Sequence, residues 1–190
     1  NKYLSWVEIK KDALAHNIKE FKRITSHSDG SENTKPTRIA PCVKSNAYGH
    51  GLVETSKIFV EAGADWLTVN SLREAEELRS AGIEVPIYVM GYTLKSDLKK
   101  AWKLNVRLIV YSRETIDALA EIAEKFSDEF SEPINLHIKV ETGNNRQGVR
   151  EDELIDFAKY ILGKGKGKLV IEGLATHFAN IEDTTDHSYA

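Results

Sequence analysis

Ile134-Asn-Leu-His-Ile-Lys-Val140 is the stretch on which the fold turns. Ile134, Leu136, Ile138 and Val140 alternate with Asn135, His137 and Lys139. Side chains along a strand point to opposite faces in turn, so one face here is apolar and the other polar. Arg38-Ile-Ala-Pro-Cys-Val-Lys44 repeats the pattern: Ile39, Pro41 and Val43 stand against Arg38, Ala40, Cys42 and Lys44. A strand inside a doubly wound sheet is covered by helices on both faces and reads as nearly all apolar. A barrel strand has helices on one face and the barrel interior on the other. Polar residues on the interior face near the C-terminal rim are where barrel active sites are built. The alternation therefore favours the barrel.

Working outward, four more short apolar runs carry the same signal: residues 65–70, 86–91, 106–111 and 168–178. Between them lie longer charged runs with apolar residues at helical spacing, at 52–63, 71–82, 94–105, 112–127 and 150–163. Ser71-Leu-Arg-Glu74 has the form of a capping box, Ser112 is placed as an N-cap, and Gly63 and Gly82 stand where helices should stop. Residues 6–24 predict a short strand and then an amphipathic helix, and residues 26–37 a polar exposed loop. Strands alternating with helices make parallel βαβ units. The expected class is α/β, a (β/α)8 TIM-type barrel with about six of its strands in this chain. Eight are needed to close a barrel, and an unclosed sheet leaves edges. Residues 1–190 are accordingly expected to be a truncated barrel domain.

Composition excludes several classes. Of 190 residues, 26 are Lys or Arg and 29 are Asp or Glu, for a net charge of -3. That balance gives no global attraction to nucleic acid or to an anionic membrane. No apolar run approaches the ~20 residues of a membrane span. The first residues carry no apolar h-region, so no signal peptide is read there. Cys42 is the single cysteine, which rules out a disulfide framework and makes the cytoplasm the expected location. The six histidines show no metal-ligand spacing. Gly163-Lys-Gly-Lys-Gly-Lys168 lacks the Gly-Lys-Ser/Thr ending of a phosphate loop and reads as a helix-to-strand linker.

Lys44 is the first candidate for chemistry. The alternation turns it inward at the C-terminal end of its strand. A lysine at a strand end is commonly a solvated residue. Confined in a barrel mouth it becomes an amine nucleophile and base of the Schiff-base type. Gly49-His50-Gly51 allows a tight turn into the next helix, and Tyr48 on that turn can aim its phenol into the mouth.

Val43-Lys-Ser-Asn-Ala-Tyr-Gly-His-Gly51 closely resembles the signature of alanine racemases, a lysine followed by Ala/Ser-Asn-Ala-Tyr-Gly-His-Gly. Three further stretches agree with the family. They are the Trp6-Val-Glu-Ile opening with His16-Asn17 downstream, the Lys139-Val-Glu-Thr-Gly-Asn-Asn-Arg-Gln-Gly148 loop, and Thr176-His-Phe-Ala-Asn-Ile-Glu-Asp183. The resemblance implies an N-terminal barrel domain binding pyridoxal 5′-phosphate (PLP), followed in the family by a β-rich C-terminal domain that this chain lacks. It implies an isomerase that interconverts L- and D-alanine by two-base transfer of the α-proton, serving D-alanine biosynthesis and the cell wall. By position, Lys44 matches the lysine that carries PLP and acts as one base, and Tyr48 a tyrosine that holds the cofactor phosphate. Arg146 matches an arginine near the cofactor's phenolic oxygen and the substrate carboxylate, and His177 a histidine against the pyridine ring. Lys139 matches a lysine that is often carbamylated and supports the arginine.

The second base is a tyrosine from the C-terminal domain of a partner subunit, so the resemblance also implies a homodimer at full length and an inactive 190-residue piece. Asn144-Asn145 replaces the family's Met-Gly, Glu141 its Asp, and Asn180-Ile-Glu-Asp183 its Ala-x-Ala-Asp. These departures keep open a racemase for another amino acid. A non-catalytic, stand-alone PLP-binding barrel is the other alternative, though its lysine motif differs from the one here.

Overall fold

A computed structural model describes residues 4–26 and 36–179. The chain divides into two compact units, one through Ile87 and one from Tyr88. Both are built from βα repeats with parallel pairing in chain order, β1-β2-β3-β4-β5.

In the first unit α1 spans Lys11–Thr25, and its one fully enclosed side chain is Ile18. A single turn, α2 (Lys44–Tyr48), leads into α3 (Leu52–Glu61). Then come β1 (Leu67–Val69), α4 (Leu72–Ser80) and the first residue of β2 (Ile87–Val89). Ser71 caps α4 as its sequence indicates. Its hydroxyl accepts from the Glu74 N–H, and Glu74 in turn accepts from the Ser71 N–H. The core is aliphatic, with Val43, Leu67, Val69, Ala75, Leu78 and Ile87 all fully buried. Each large member contributes roughly 1.5–3 kcal/mol by leaving water.

Two strand expectations need correction here. Residues 5–10 form no strand, and Trp6, Val7 and Ile9 lie exposed. The run 38–44 pairs with β1 only through a bridge, Cys42 with Thr68. Pro41 has no N–H to give, so the ladder keeps Val43 N–H to Thr68 O at 2.8 Å, Thr68 N–H to Pro41 O at 3.0 Å and Trp66 N–H to Ile39 O at 3.2 Å, without a bond between the last two.

The second unit holds the rest of β2, α5 (Leu98–Lys103), β3 (Arg107–Val110), α6 (Arg113–Lys125), β4 (Ile134–Lys139), α7 (Leu154–Gly165) and β5 (Leu169–Ala175). Tyr88 pairs with Arg107, and Leu108 with Leu136. Ser112 caps α6 by accepting from the Thr115 N–H. The deciding alternation holds in β4: Ile134, Leu136 and Ile138 are buried, whereas Asn135 and His137 are half-buried on the other face. The Gly-rich basic stretch is the end of α7 and its turn into β5, as its sequence suggests. The repeat is that of a (β/α)8 barrel, of which the described residues supply five strands rather than six, the run 38–44 pairing only through the Cys42–Thr68 bridge. Among them no helix is long and apolar enough to cross a membrane.

Candidate functional site

In the first unit, the backbone is fixed immediately before Lys44 by the buried Val43 and its bond to Thr68. The chain then does something the sequence did not foretell. Ser45, Asn46 and Ala47 adopt φ/ψ of 53/51, 57/41 and 50/47, and Tyr48 follows at φ 53. This is a left-handed turn made of residues with side chains. Asn tolerates it, but each of Ser45, Ala47 and Tyr48 costs roughly 1–2 kcal/mol, roughly 3–6 kcal/mol in all.

The surrounding bonds hold the turn in place. The Ala47 N–H donates to Val43 O at 2.8 Å. Asn46 works twice: its carbonyl accepts from Gly49 and Gly51, each at 3.0 Å, and its Oδ1 accepts from the Leu52 N–H at 2.8 Å. The Ser45 N–H donates to Glu74 Oε1 at 2.7 Å. The other oxygen of Glu74 accepts from the N–H groups of Asn70 and Ser71 at the start of α4. Backbone held in so sparsely populated a conformation is a pointer to function.

What the turn displays is an amine and a phenol. Lys44 Nζ lies 5.9 Å from the centre of the Tyr48 ring. The Tyr48 hydroxyl is 3.5 Å from Cys42 Sγ. The hydrogen bond with that thiol, helped by burial, raises the phenol above its ordinary value. Asn46, Glu74 and Cys42 are the participants missed at the level of sequence. Asn46 lies inside the signature, where Asn is a residue that tolerates left-handed backbone. Glu74 was readable only as half of a capping box.

In the second unit, β4 ends at Lys139 and the chain folds back through residues 141–149. Val149 N–H donates to Lys139 O and Glu141 N–H to Val149 O, at 2.8 and 2.9 Å. Gly148 makes this closure possible: a Cβ there would stand 2.6 Å from Glu141 N, a distance only glycine avoids. The Glu141 carboxylate gathers the loop, accepting from the N–H groups of Gly143 at 2.7 Å, Asn145 at 2.8 Å and Arg146 at 3.3 Å. These donors, Asn145 first, hold the carboxyl below its ordinary range.

Lys139, Glu141, Thr142, Asn144, Arg146 and His177 line one shallow depression. Lys139 is 6% exposed, as its inward placement required. Burial lowers its pKa, the Arg146 cation lowers it further, and Glu141 opposes both. The Thr142 hydroxyl bonds that of Thr176 and reaches the carbonyl of His177 at 3.3 Å, which ties the end of β5 to the loop. So the structure groups Lys44 with Tyr48 in one unit, and Lys139, Arg146 and His177 in the other. The Ile181-Glu-Asp departure and Asn180 lie outside the described residues.

These features define an α/β domain of the barrel class, with an amine displayed on tight backbone after the run 38–44 and a guanidinium on tight backbone after β4. A family profile described as alanine racemase, N-terminal domain, matches residues 9–190, and the chain belongs to that family. The alanine racemase of Methanococcus maripaludis is 40% identical over 185 residues, which is 97% of this chain and 46% of that protein. The crystal structure of an alanine racemase from Bacillus anthracis with bound L-Ala-P aligns with a TM-score of 0.80 at 36% identity, covering 97% of this chain and 44% of that one. A histidine racemase from Leuconostoc mesenteroides aligns with a TM-score of 0.78 at 27% identity, over 93% of this chain and 44% of that one. The chain thus spans about half the length of the curated relatives it matches.

The family is PLP-dependent, and the residues present suit that cofactor. PLP offers an aldehyde, a phosphate and a phenolic oxygen on a pyridine ring. An amine reacts with an aldehyde, a phenol O–H donates to a phosphate oxygen, and a guanidinium pairs with an anionic oxygen. Lys44 and Tyr48 in the first unit offer an amine and a phenol, and Arg146 in the second offers a guanidinium, each on backbone that is already fixed.

Proposed function

We propose that this chain is the PLP-bearing barrel domain of an alanine racemase. The observation that carries the reading is the left-handed Lys44–Tyr48 turn. Strain of that size is kept where a side chain must be aimed. Lys44 would hold PLP covalently and Tyr48 its phosphate. Arg146 would face the phenolic oxygen and the substrate carboxylate, and His177 the pyridine ring. When bound, PLP supplies an electron sink for the charge left at the substrate's α-carbon. Lys44 would accept or return the α-proton at Nζ on one face of that carbon. Racemisation needs a second base on the opposite face. Following the family, that base comes from a β-rich C-terminal domain of a partner subunit, so the working enzyme is a homodimer. The substrate is a small amino acid, the location the cytoplasm, and the product D-alanine for the cell wall.

Lys139 is proposed to carry a carbamate. A neutral lysine amine adds CO2 and releases a proton, and the buried cation beside Arg146 becomes an anion. Burial and the neighbouring guanidinium both favour the neutral amine this step needs.

A second reading, a racemase for another amino acid, is favoured by Asn144-Asn145 in the loop that bears Arg146, and by the likeness to a histidine racemase. The test takes the full-length protein, wild type and Lys44→Ala. Absorption spectra are recorded with added PLP before and after borohydride, followed by racemisation assays on a panel of amino acids. The expected result is a PLP adduct trapped on Lys44, absent in the variant, and turnover highest with alanine. Turnover highest with a larger amino acid would select the second reading. A well-folded wild type with no adduct would overturn both.

A further inference from the structure

We infer that Glu172, His137 and Arg107 are positioning residues for the strand end that carries Thr176 and His177. They hold a one-residue bulge in β5, and the bulge decides which face that strand end presents. The inference rests on the proposed cofactor role of His177 only for its consequence, not for its geometry.

The register shows the bulge directly. Ile134 pairs with Leu169, Asn135 with Val170 and Leu136 with Ile171. His137 then pairs with Gly173, passing over Glu172, and the new register continues through Ile138 with Leu174 and Lys139 with Ala175. Partners in a sheet share a face, and a slip of one residue turns every later side chain over. As built, Ala175 stands on the face of Lys139. In an unbroken register Leu174 would take that place, and Thr176 and His177 would each point the opposite way. Bulges are a recognised means of re-aiming side chains beside active sites.

The bulge has a lock. Glu172 Oε2 accepts from Arg107 Nε at 3.1 Å and lies 3.1 Å from His137 Nε2, and Oε1 accepts from Arg107 Nη2 at 3.3 Å. The Arg107 and His137 side chains are only 15% and 17% exposed, so this is not the solvated surface pairing that contributes little. The residue after Glu172 sits tightly against the same imidazole. A Cβ on Gly173 would stand 3.0 Å from Cε1 and Nδ1 of His137. The Tyr88 ring lies 5.0 Å from that of His137. Beyond the bulge the strand end is received by the loop after β4. Val140 N–H donates to Ala175 O at 2.8 Å, and Thr142 engages both Thr176 and His177. A displaced bulge would break these contacts at the depression lined by Lys139 and Arg146.

The test uses the full-length protein uniformly labelled with 15N and 13C, as wild type, Glu172→Ala and Glu172→Gln. Two things are read: the ring and amide resonances of His177 and Thr176 without cofactor, and the dissociation constant for PLP. Glu172→Ala is expected to move the His177 and Thr176 signals while those of Asn46 and Ala47 stay in place. It should also weaken PLP binding by roughly ten- to a hundredfold, the scale of a small misplacement. Glu172→Gln, which keeps an oxygen for Arg107, should fall between. A folded Glu172→Ala with unmoved His177 signals and wild-type affinity overturns the inference, as does a lowered melting temperature with both readouts unchanged. Should Glu172→Ala not fold, unmoved readouts in Glu172→Gln overturn it equally. If the wild type itself binds no PLP, the functional reading fails while the resonances still decide the bulge.

Discussion

Lys44 and Arg146 each adjoin backbone bent into positive φ, Ser45–Tyr48 after the one and Asn145 before the other, yet the two regions are held in opposite ways. The Lys44 turn is anchored from a distance. Glu74, on another helix, accepts the Ser45 N–H, and the same carboxylate caps α4. The Arg146 loop is anchored from within. Glu141, five residues earlier in the same segment, accepts three of the loop's own N–H groups. A distant anchor couples two elements, so losing it should damage both. A local anchor should fail alone, and gently.

The largest expected effect follows from that contrast. Glu74→Ala strips the acceptor from Ser45, Asn70 and Ser71 together. Lost bonds to a charged acceptor and a lost cap should cost roughly 2–4 kcal/mol, read as a melting temperature several degrees lower. Faster amide exchange at Ser45 should accompany it. If the melting temperature falls but Ser45 exchange does not change, Glu74 is only a helix cap and the contrast breaks.

How far these two regions were legible differs for the same physical reason. The Arg146 loop was quotable from the sequence by its family resemblance, and Lys139 by the parity of β4; its anchors Glu141 and Gly148 lie within a few residues, though Thr142 also ties it to β5. The parity argument also set the fold class, since period-2 alternation is a local property. The left-handed turn could not be read. Its signature residues are quotable, but nothing in Lys44-Ser-Asn-Ala-Tyr48 says that three side-chain-bearing residues before the tyrosine will leave the right-handed region. That conformation is imposed by Glu74 and by the buried Val43, which are tertiary facts. The run 38–44 misled for a related reason: its alternation is that of a strand, and the missing N–H of Pro41 leaves only a bridge. The bulge at Glu172 was equally hidden, because it is a relation between two strands.

The second effect sharpens what the local anchor leaves unbalanced. Glu141 spends its oxygens on backbone, and the depression sets the buried Lys139 amine beside the Arg146 guanidinium. A carbamate on Lys139 would supply the missing anion. With 13C-bicarbonate, the full-length protein should show a carbamate carbon signal that disappears in Lys139→Ala, and activity should fall roughly tenfold or more with it. A wild type without the signal, whose electron density ends at a plain Nζ, removes the carbamate and leaves Lys139 as a buried amine.

The smallest effect is a pH dependence of the loop, and its sign is fixed by the direction of the shift. The Glu141 carboxyl is held below its ordinary 4.5, chiefly by the Asn145 N–H, with burial opposing and the Gly143, Arg146 and Asn144 N–H groups assisting. A carboxyl depressed on folding lends its stabilisation fully above the ordinary value and loses it as pH falls through the lowered one. The amide signals of Gly143 and Asn145 should therefore stay fixed from neutrality down to the ordinary carboxylate range and move only below it. Those of Ser45 and Leu52, in the turn held from a distance, should not move with them. Glu141→Gln should abolish the transition while leaving the melting temperature nearly unchanged, because the carboxylate is open to solvent. A transition centred at or above 4.5 would mean that the N–H groups do not favour the charged form, and the loop would then need some other anchor.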